Sequence, residues 1–218
     1  MRIKENKKLT DILKLGLVLI LLFMVIRLFM FQNHHITRDD MFGTLRPGDI
    51  VLVNTMTYSY STIEPGDLVY LKDPFSMDEK VIRRVAAIGG QTLEIRDKIV
   101  YVDSIPVAEP AEVKYSDERI FPSEFSNRDN LGPIQIPSGK VYLLADNRDT
   151  GTDSRLWGPV SESEIIGKSS RIILTWKPDP DVPEFKSPYI TPLVKIVFHT
   201  IFHFPNRLDW DRIGMDLG

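Results

Sequence analysis

The 218-residue chain contains no cysteine, which excludes disulfides, thiolate nucleophiles and zinc–cysteine sites together. A domain built from it outside the cytoplasm must rest on its hydrophobic core alone. Excess charge is also scarce. The formal net charge is −3, yet the first eight residues, MRIKENKK, hold four basic groups and one acid. The other 210 residues therefore sum to about −6, which argues against a nucleic-acid surface. No internal repeat is visible. No small-x-small cleavage site follows the apolar N-terminal stretch, where LFMFQNHH is bulky throughout, and this speaks against a cleaved signal peptide.

What is present begins with residues 11–31, DILKLGLVLILLFMVIRLFMF, apolar without a break from Leu15 to Ile26. At ~1.5 Å per residue the segment reaches roughly 30 Å, a bilayer's depth. Lys14 and Arg27 stand near its ends, where long side chains snorkel to headgroups. The basic cluster lies before the segment and QNHH after it. The positive-inside rule then predicts a cytoplasmic N-terminus over residues 1–10 and a single transmembrane anchor over 11–31. Residues 32–218 are expected to form an extracytoplasmic domain on the cell (inner) membrane.

Beyond the anchor the pattern is short β-type runs divided by Pro, Gly and Asp. DIVLVN (49–54) and DLVYLK (67–72) each follow a Pro-Gly-Asp turn, and VIRRVAAI (81–88) ends at Gly89-Gly90. TLEIRDKIVYVDSIPV reads as a hairpin with Asp97-Lys98 at its tip and Asp103-Ser104 turning the chain again. KVYLLADN and RIILTW complete the set. This spacing predicts a mostly β, barrel-like or sheet domain. Residues 127–132 and 177–192 read as loops. The tail over 193–204 is apolar but too short to span, so it is expected to pack on the domain or lie at the bilayer surface. His199 and His203 are four apart, but no third ligand stands beside them, and no metal site or cofactor is expected.

Three stretches in order resemble the bacterial type I signal peptidases (peptidase S26-like). DMFGTLRPGDIVLVN resembles the family's nucleophile box, VIRRVAAIGG its lysine box, and LGPIQIPSGKVYLLADNRDTGTDSRLWGPV its last box. The anchor in front and the ending RLDWDRIG fit as well. The resemblance implies a serine hydroxyl that attacks a peptide bond and a lysine that serves as its base. Carried over position by position, the nucleophile falls on Asp40 and the base on Arg83. The serine that would hydrogen-bond the lysine falls on Gly151. The hydroxyl two residues before the nucleophile falls on Arg38, and the proline three residues after it on Gly43. Met41, Thr44, Leu45, Gly48 and Asp49 remain, as do Arg84 and Val85, and Ala145 replaces a glycine. Asp146, Asn147, Arg148, Asp153, Ser154 and Arg155 remain as supporting residues, with an Asp153–Arg155 ion pair implied. Ile36, Arg38 and Met41, beside the vestigial nucleophile, are implied to bind substrate or partner.

An ionised carboxylate only accepts hydrogen bonds, and arginine stays protonated. Serine–lysine hydrolysis therefore cannot run through Asp40 and Arg83, which should instead form a charge-assisted bridge. Lys80 lies three residues before Arg83, and that odd offset points it to the other face of the strand. Asp39 and Asp40 should point apart. The chain is expected to be a non-catalytic signal peptidase-like membrane protein of the export pathway. Its expected partners are exported preproteins or surface-assembly proteins, which it would bind or present or help to assemble. Two alternatives stand: an active signal peptidase using surrogate residues, and a structural envelope protein whose cleft is closed by its own side chains. In a chain rebuilt with Asp40→Ser and Arg83→Lys, adding Gly151→Ser is expected to improve activity.

Overall fold

A computed structural model describes residues 2–76, 78–177 and 207–217. Helix α1, Arg2–Met30, leads directly into strand β1, Phe31–His35. Its large apolar side chains from Ile12 to Ile26 are exposed. Among the described residues no helix is long and apolar enough to cross a membrane. Phe31, the last residue of the segment expected to span, belongs to β1 rather than to the helix.

The remaining strands are β2 (Asp49–Asn54), β3 (Leu68–Lys72), β4 (Lys80–Ile88), β5 (Thr92–Arg96), β6 (Ile99–Val102) and β7 (Ile105–Pro106). They are followed by β8 (Leu131–Gln135), β9 (Lys140–Leu144), β10 (Val160–Ser161) and β11 (Ile165–Thr175), with a one-turn helix α2 (Ser154–Trp157) before β10. Two antiparallel sheets result, one ordered β1-β2-β11-β3-β4-β9-β10 and the other β7-β6-β5-β8. The mostly β expectation holds. β3 lies in the middle of the larger sheet and is buried from Leu68 to Leu71, as a strand covered on both faces must be. β2 alternates buried and half-buried residues with period two. Register shifts along β11 and between Val85 and Ala87 add local bends.

Turn chemistry accounts for several strand ends. Gly48 and Gly66 both sit at φ +97°, and in each turn the following aspartate's Oδ2 accepts a backbone N–H three residues back, from Arg46 at 2.9 Å or Glu64 at 3.1 Å. The likeness of the two Pro-Gly-Asp units is therefore one turn used twice. Asp97-Lys98 and Asp103-Ser104 all have positive φ, as tight two-residue hairpin turns require. The loop expected over 127–132 ends sooner, because Leu131 and Gly132 already belong to β8. Nearly all of the 177–192 loop, the 193–204 tail and both its histidines lie outside the described residues.

One core cluster packs Ile36, Met41 and Leu45 against Val51, Tyr70 and Ile82. It therefore forms the floor beneath the segment that carries Asp40. Each large side chain of this kind contributes roughly 1.5–3 kcal/mol by burial. A separate cluster, including Leu93, Val100 and Leu144, joins the two sheets.

Candidate functional site

The segment between β1 and β2 is a compact loop closed by its own backbone. Ile36 N donates to Asp49 O at 2.8 Å, Gly48 N to Ile36 O at 2.9 Å, and Leu45 N to Met41 O at 2.8 Å. The third box clamps it from outside. Asn147 N donates to Asp40 O at 2.9 Å, Asn147 Nδ2 to Asp39 O at 3.1 Å, and Asp146 N to Met41 Sδ at 3.3 Å. Asp40 is thereby fixed with its side chain inward and only 6% exposed, while Asp39 points out to solvent.

Asp40 faces Arg83 on β4, where the expected bridge forms. Arg83 Nη2 donates to Asp40 Oδ2 at 2.6 Å. Its Nε donates to Thr152 O and its Nη1 to Ile82 O, both at 2.7 Å, so the 2% exposed guanidinium uses all three nitrogens. Burial pulls this guanidinium below its ordinary pKa, and the Asp40 carboxylate opposes that pull. Arg38 approaches the same carboxylate oxygen through Nε at 3.2 Å. From there it reaches Glu79 and Thr152 Oγ1, both at 3.4 Å, and lies across the cleft mouth half exposed.

Ile36, Arg38, Asp40, Met41 and Arg83 line one cleft, so the implied partner-binding and dyad positions come together. The open volume there is about 40 Å³, space for a few waters. Lys80 lines it too, against expectation. It is an exposed first strand residue whose long side chain brings its ammonium 5.5 Å from the centre of the Tyr70 ring. His34 accompanies it, with its Nδ1 3.3 Å from Tyr70 Oη. Burial, then the charge of Lys80, lowers the His34 pKa to about 4.

The supporting residues serve several places. Asp153 and Arg155 form a buried two-point bridge, at 2.9 Å and 2.7 Å, rather than surface charge, and Asp153 Oδ2 also accepts from Ala145 N at 2.9 Å. Ser154 Oγ accepts from Leu143 N at 3.0 Å. Asp146 is held by Arg84 through Nε at 2.8 Å and Nη2 at 2.6 Å, and it accepts from Thr44 Oγ1 at 2.5 Å. That pinned hydroxyl is not available for attack. Arg148 does not line the cleft and instead pairs with Glu109 at 2.8 Å.

Sequence reasoning missed the packing around the three glycine and alanine positions. Gly43 sits at φ +113°, and a Cβ there would collide with the Glu112 carbonyl, so proline is excluded by conformation as well as by space. A Cβ on Gly151 would collide with the Cβ of Ala145 and lie 2.9 Å from Asn147 O. The expectation that Gly151→Ser alone improves a rebuilt site is therefore corrected: Ala145 already fills that space. Nothing in the local sequence pairs 145 with 151 or 43 with 112. The carry-over had marked three of these four positions as changed, and that was the available signal.

A family model described as signal peptidase, peptidase S26, matches residues 9–175. The probable signal peptidase I-1 of Synechocystis sp. is 31% identical over 172 residues, 76% of this chain and 79% of that protein. Signal peptidase I V of Bacillus subtilis is 32% identical over 157 residues, 70% of this chain and 91% of that protein. A crystal structure of a signal peptidase I from Enterococcus faecalis aligns with a TM-score of 0.40 at 23% identity, covering 50% of this chain and 97% of that one.

Proposed function

Because the chain belongs to the signal peptidase, peptidase S26, family, we propose that it is a membrane-anchored export protein that holds extended exported chains without cutting them. One observation carries the reading: the cleft is lined by a buried Asp40–Arg83 bridge at 2.6 Å. The carboxylate has no proton to give to a base, and the guanidinium cannot accept one. Strand edges support binding. β1 ends the larger sheet, and β4 pairs with β9 only from Arg84 onward, so each offers an edge to which an extended chain can add. The exposed apolar side chains of α1 support anchoring, and the basic residues at its start support a cytoplasmic N-terminus.

The decisive experiment incubates the purified full chain in detergent with a preprotein and with a fluorescent peptide spanning the same signal segment. Binding without cleavage is expected, with Arg38→Glu weakening it. Cleavage by the wild-type chain, retained in Asp40→Ala, would overturn the reading. A second reading, an active peptidase with surrogate residues, draws on the Thr37 hydroxyl and Lys80 amine that line the same cleft. It requires cleavage that Thr37→Ala and Lys80→Met both abolish.

A further inference from the structure

Among the described residues three cations line the cleft, Arg38, Lys80 and Arg83, against the single carboxylate of Asp40. Two of the three are engaged. Arg83 is bonded to Asp40 at 2.6 Å. Arg38 is shared among Asp40 at 3.2 Å, Glu79 at 3.4 Å and Asp73 at 3.9 Å. Lys80 makes no ion pair with any described residue. Its exposed ammonium rests against the Tyr70 ring, 5.5 Å from the centre, which is a weak hold. His34 lines the cleft beside it and, with its pKa lowered to about 4, adds no charge at neutral pH.

The strand register adds a second observation. Lys80 faces Lys72 of β3, so two like charges stand directly opposite one another, which costs stability. Ile165 of β11 faces Leu71, and exposed Glu164 is therefore next in line beyond Lys72. Across this end of the sheet the row runs Glu164, Lys72, Lys80 and then stops, because β9 pairs with β4 only from Arg84 onward. Lys72 has an acid on its outer side, whereas Lys80 has an open strand edge. An extended chain added to that edge, in either direction, sets one residue opposite Lys80. We propose that Lys80 is a specificity determinant, selecting exported segments that carry an aspartate or glutamate at that one position. The acid completes the row with a second opposite-charge pair and offsets the repulsion between the two lysines. This inference rests on the reading that the cleft holds an extended chain.

Fluorescence anisotropy of the full chain in detergent tests it with the labelled signal-segment peptide, into which glutamate is walked one position at a time. Glutamate at one position should tighten binding about threefold, and lysine at the same position should weaken it by a similar factor. Lys80→Gln should remove both effects. Lys80→Glu should exchange them, so that lysine becomes the preferred residue there, a reversal that loss of folded protein cannot produce. A flat scan among peptides that bind overturns this inference alone. So does a gain spread evenly along the peptide, which is non-specific attraction, or a preference for glutamate that survives in Lys80→Glu. No binding by any peptide overturns both this inference and the proposed function. Cleavage with the positional preference intact overturns only the non-catalytic reading.

Discussion

Asp40 and Arg83 illustrate how differently one and two substitutions act on a buried pair. Arg83→Leu leaves a carboxylate that is 6% exposed, with only the half-exposed Arg38 nearby. A loss of about 3–5 kcal/mol is expected in urea denaturation. Asp40→Leu combined with Arg83→Met should be clearly less costly than Arg83→Leu, because a packed apolar pair avoids the unpaired charge. If the double variant is the weaker protein, the bonds from Arg83 to the Thr152 and Ile82 carbonyls matter more than the ion pair. A second cycle concerns positions 145 and 151. Gly151→Ser should cost about 1–3 kcal/mol by overpacking, and Ala145→Gly in the same chain should return part of it. The return is partial because Asn147 O still lies 2.9 Å from the new Cβ. Equal costs with and without Ala145→Gly would remove the steric coupling. The Asp40–Arg83 contact was legible in advance because two family boxes fixed both positions. The 145–151 contact was not, because side-chain volume across a turn leaves no pattern in a linear sequence.

Elements with strong turn chemistry were read well. Both Pro-Gly-Asp turns and the two Asp-led turns at 97 and 103 end strands as expected, since few residue types accept positive φ there. Segments without periodicity were not. Lys114 N donates to Asp146 O and Arg148 N to Lys114 O, so the segment after β7 packs on the last box without any sequence signal of doing so. β1 was hidden behind the apolar helix that precedes it. That strand carries a pH prediction through His34. Its folded pKa of about 4 lies below the ordinary 6.5, so the unfolded chain binds the proton first as pH falls. Stability should therefore decline as pH drops from 6.5 towards 4. His34→Gln should flatten the slope between pH 6.5 and 5, above the usual carboxylate range. An unchanged slope in urea titrations at pH 6.5 and 5 would show that the ring is not held neutral.

On the scale of the whole molecule, α1 and the sheets are separable. Among the described residues none of the three buried core clusters contains an α1 residue, and the last helical carbonyl, Met30 O, is tied to the body by Thr55 N at 3.0 Å and Thr55 Oγ1 at 3.1 Å. A chain starting at Phe31 should keep its urea midpoint within experimental error and lose sedimentation with liposomes. A lower midpoint would make the helix part of the fold. The opposite end is not separable in this way. Arg212 Nη2 donates to Asp49 Oδ2 at 2.6 Å and to Thr44 O at 2.9 Å, while Thr175 Oγ1 donates to Asp49 Oδ1 at 2.8 Å. Asp49 is fully buried in the turn that closes the Asp40 loop. A chain emerging N-terminus first exposes that aspartate long before its arginine arrives. Until residue 212 has been delivered, burying Asp49 strands a charge, which costs several kcal/mol. Ribosome-bound or translocon-arrested chains stopped before 212 should remain protease-sensitive around Asp49, so the cleft is completed only once residue 212 has been synthesised.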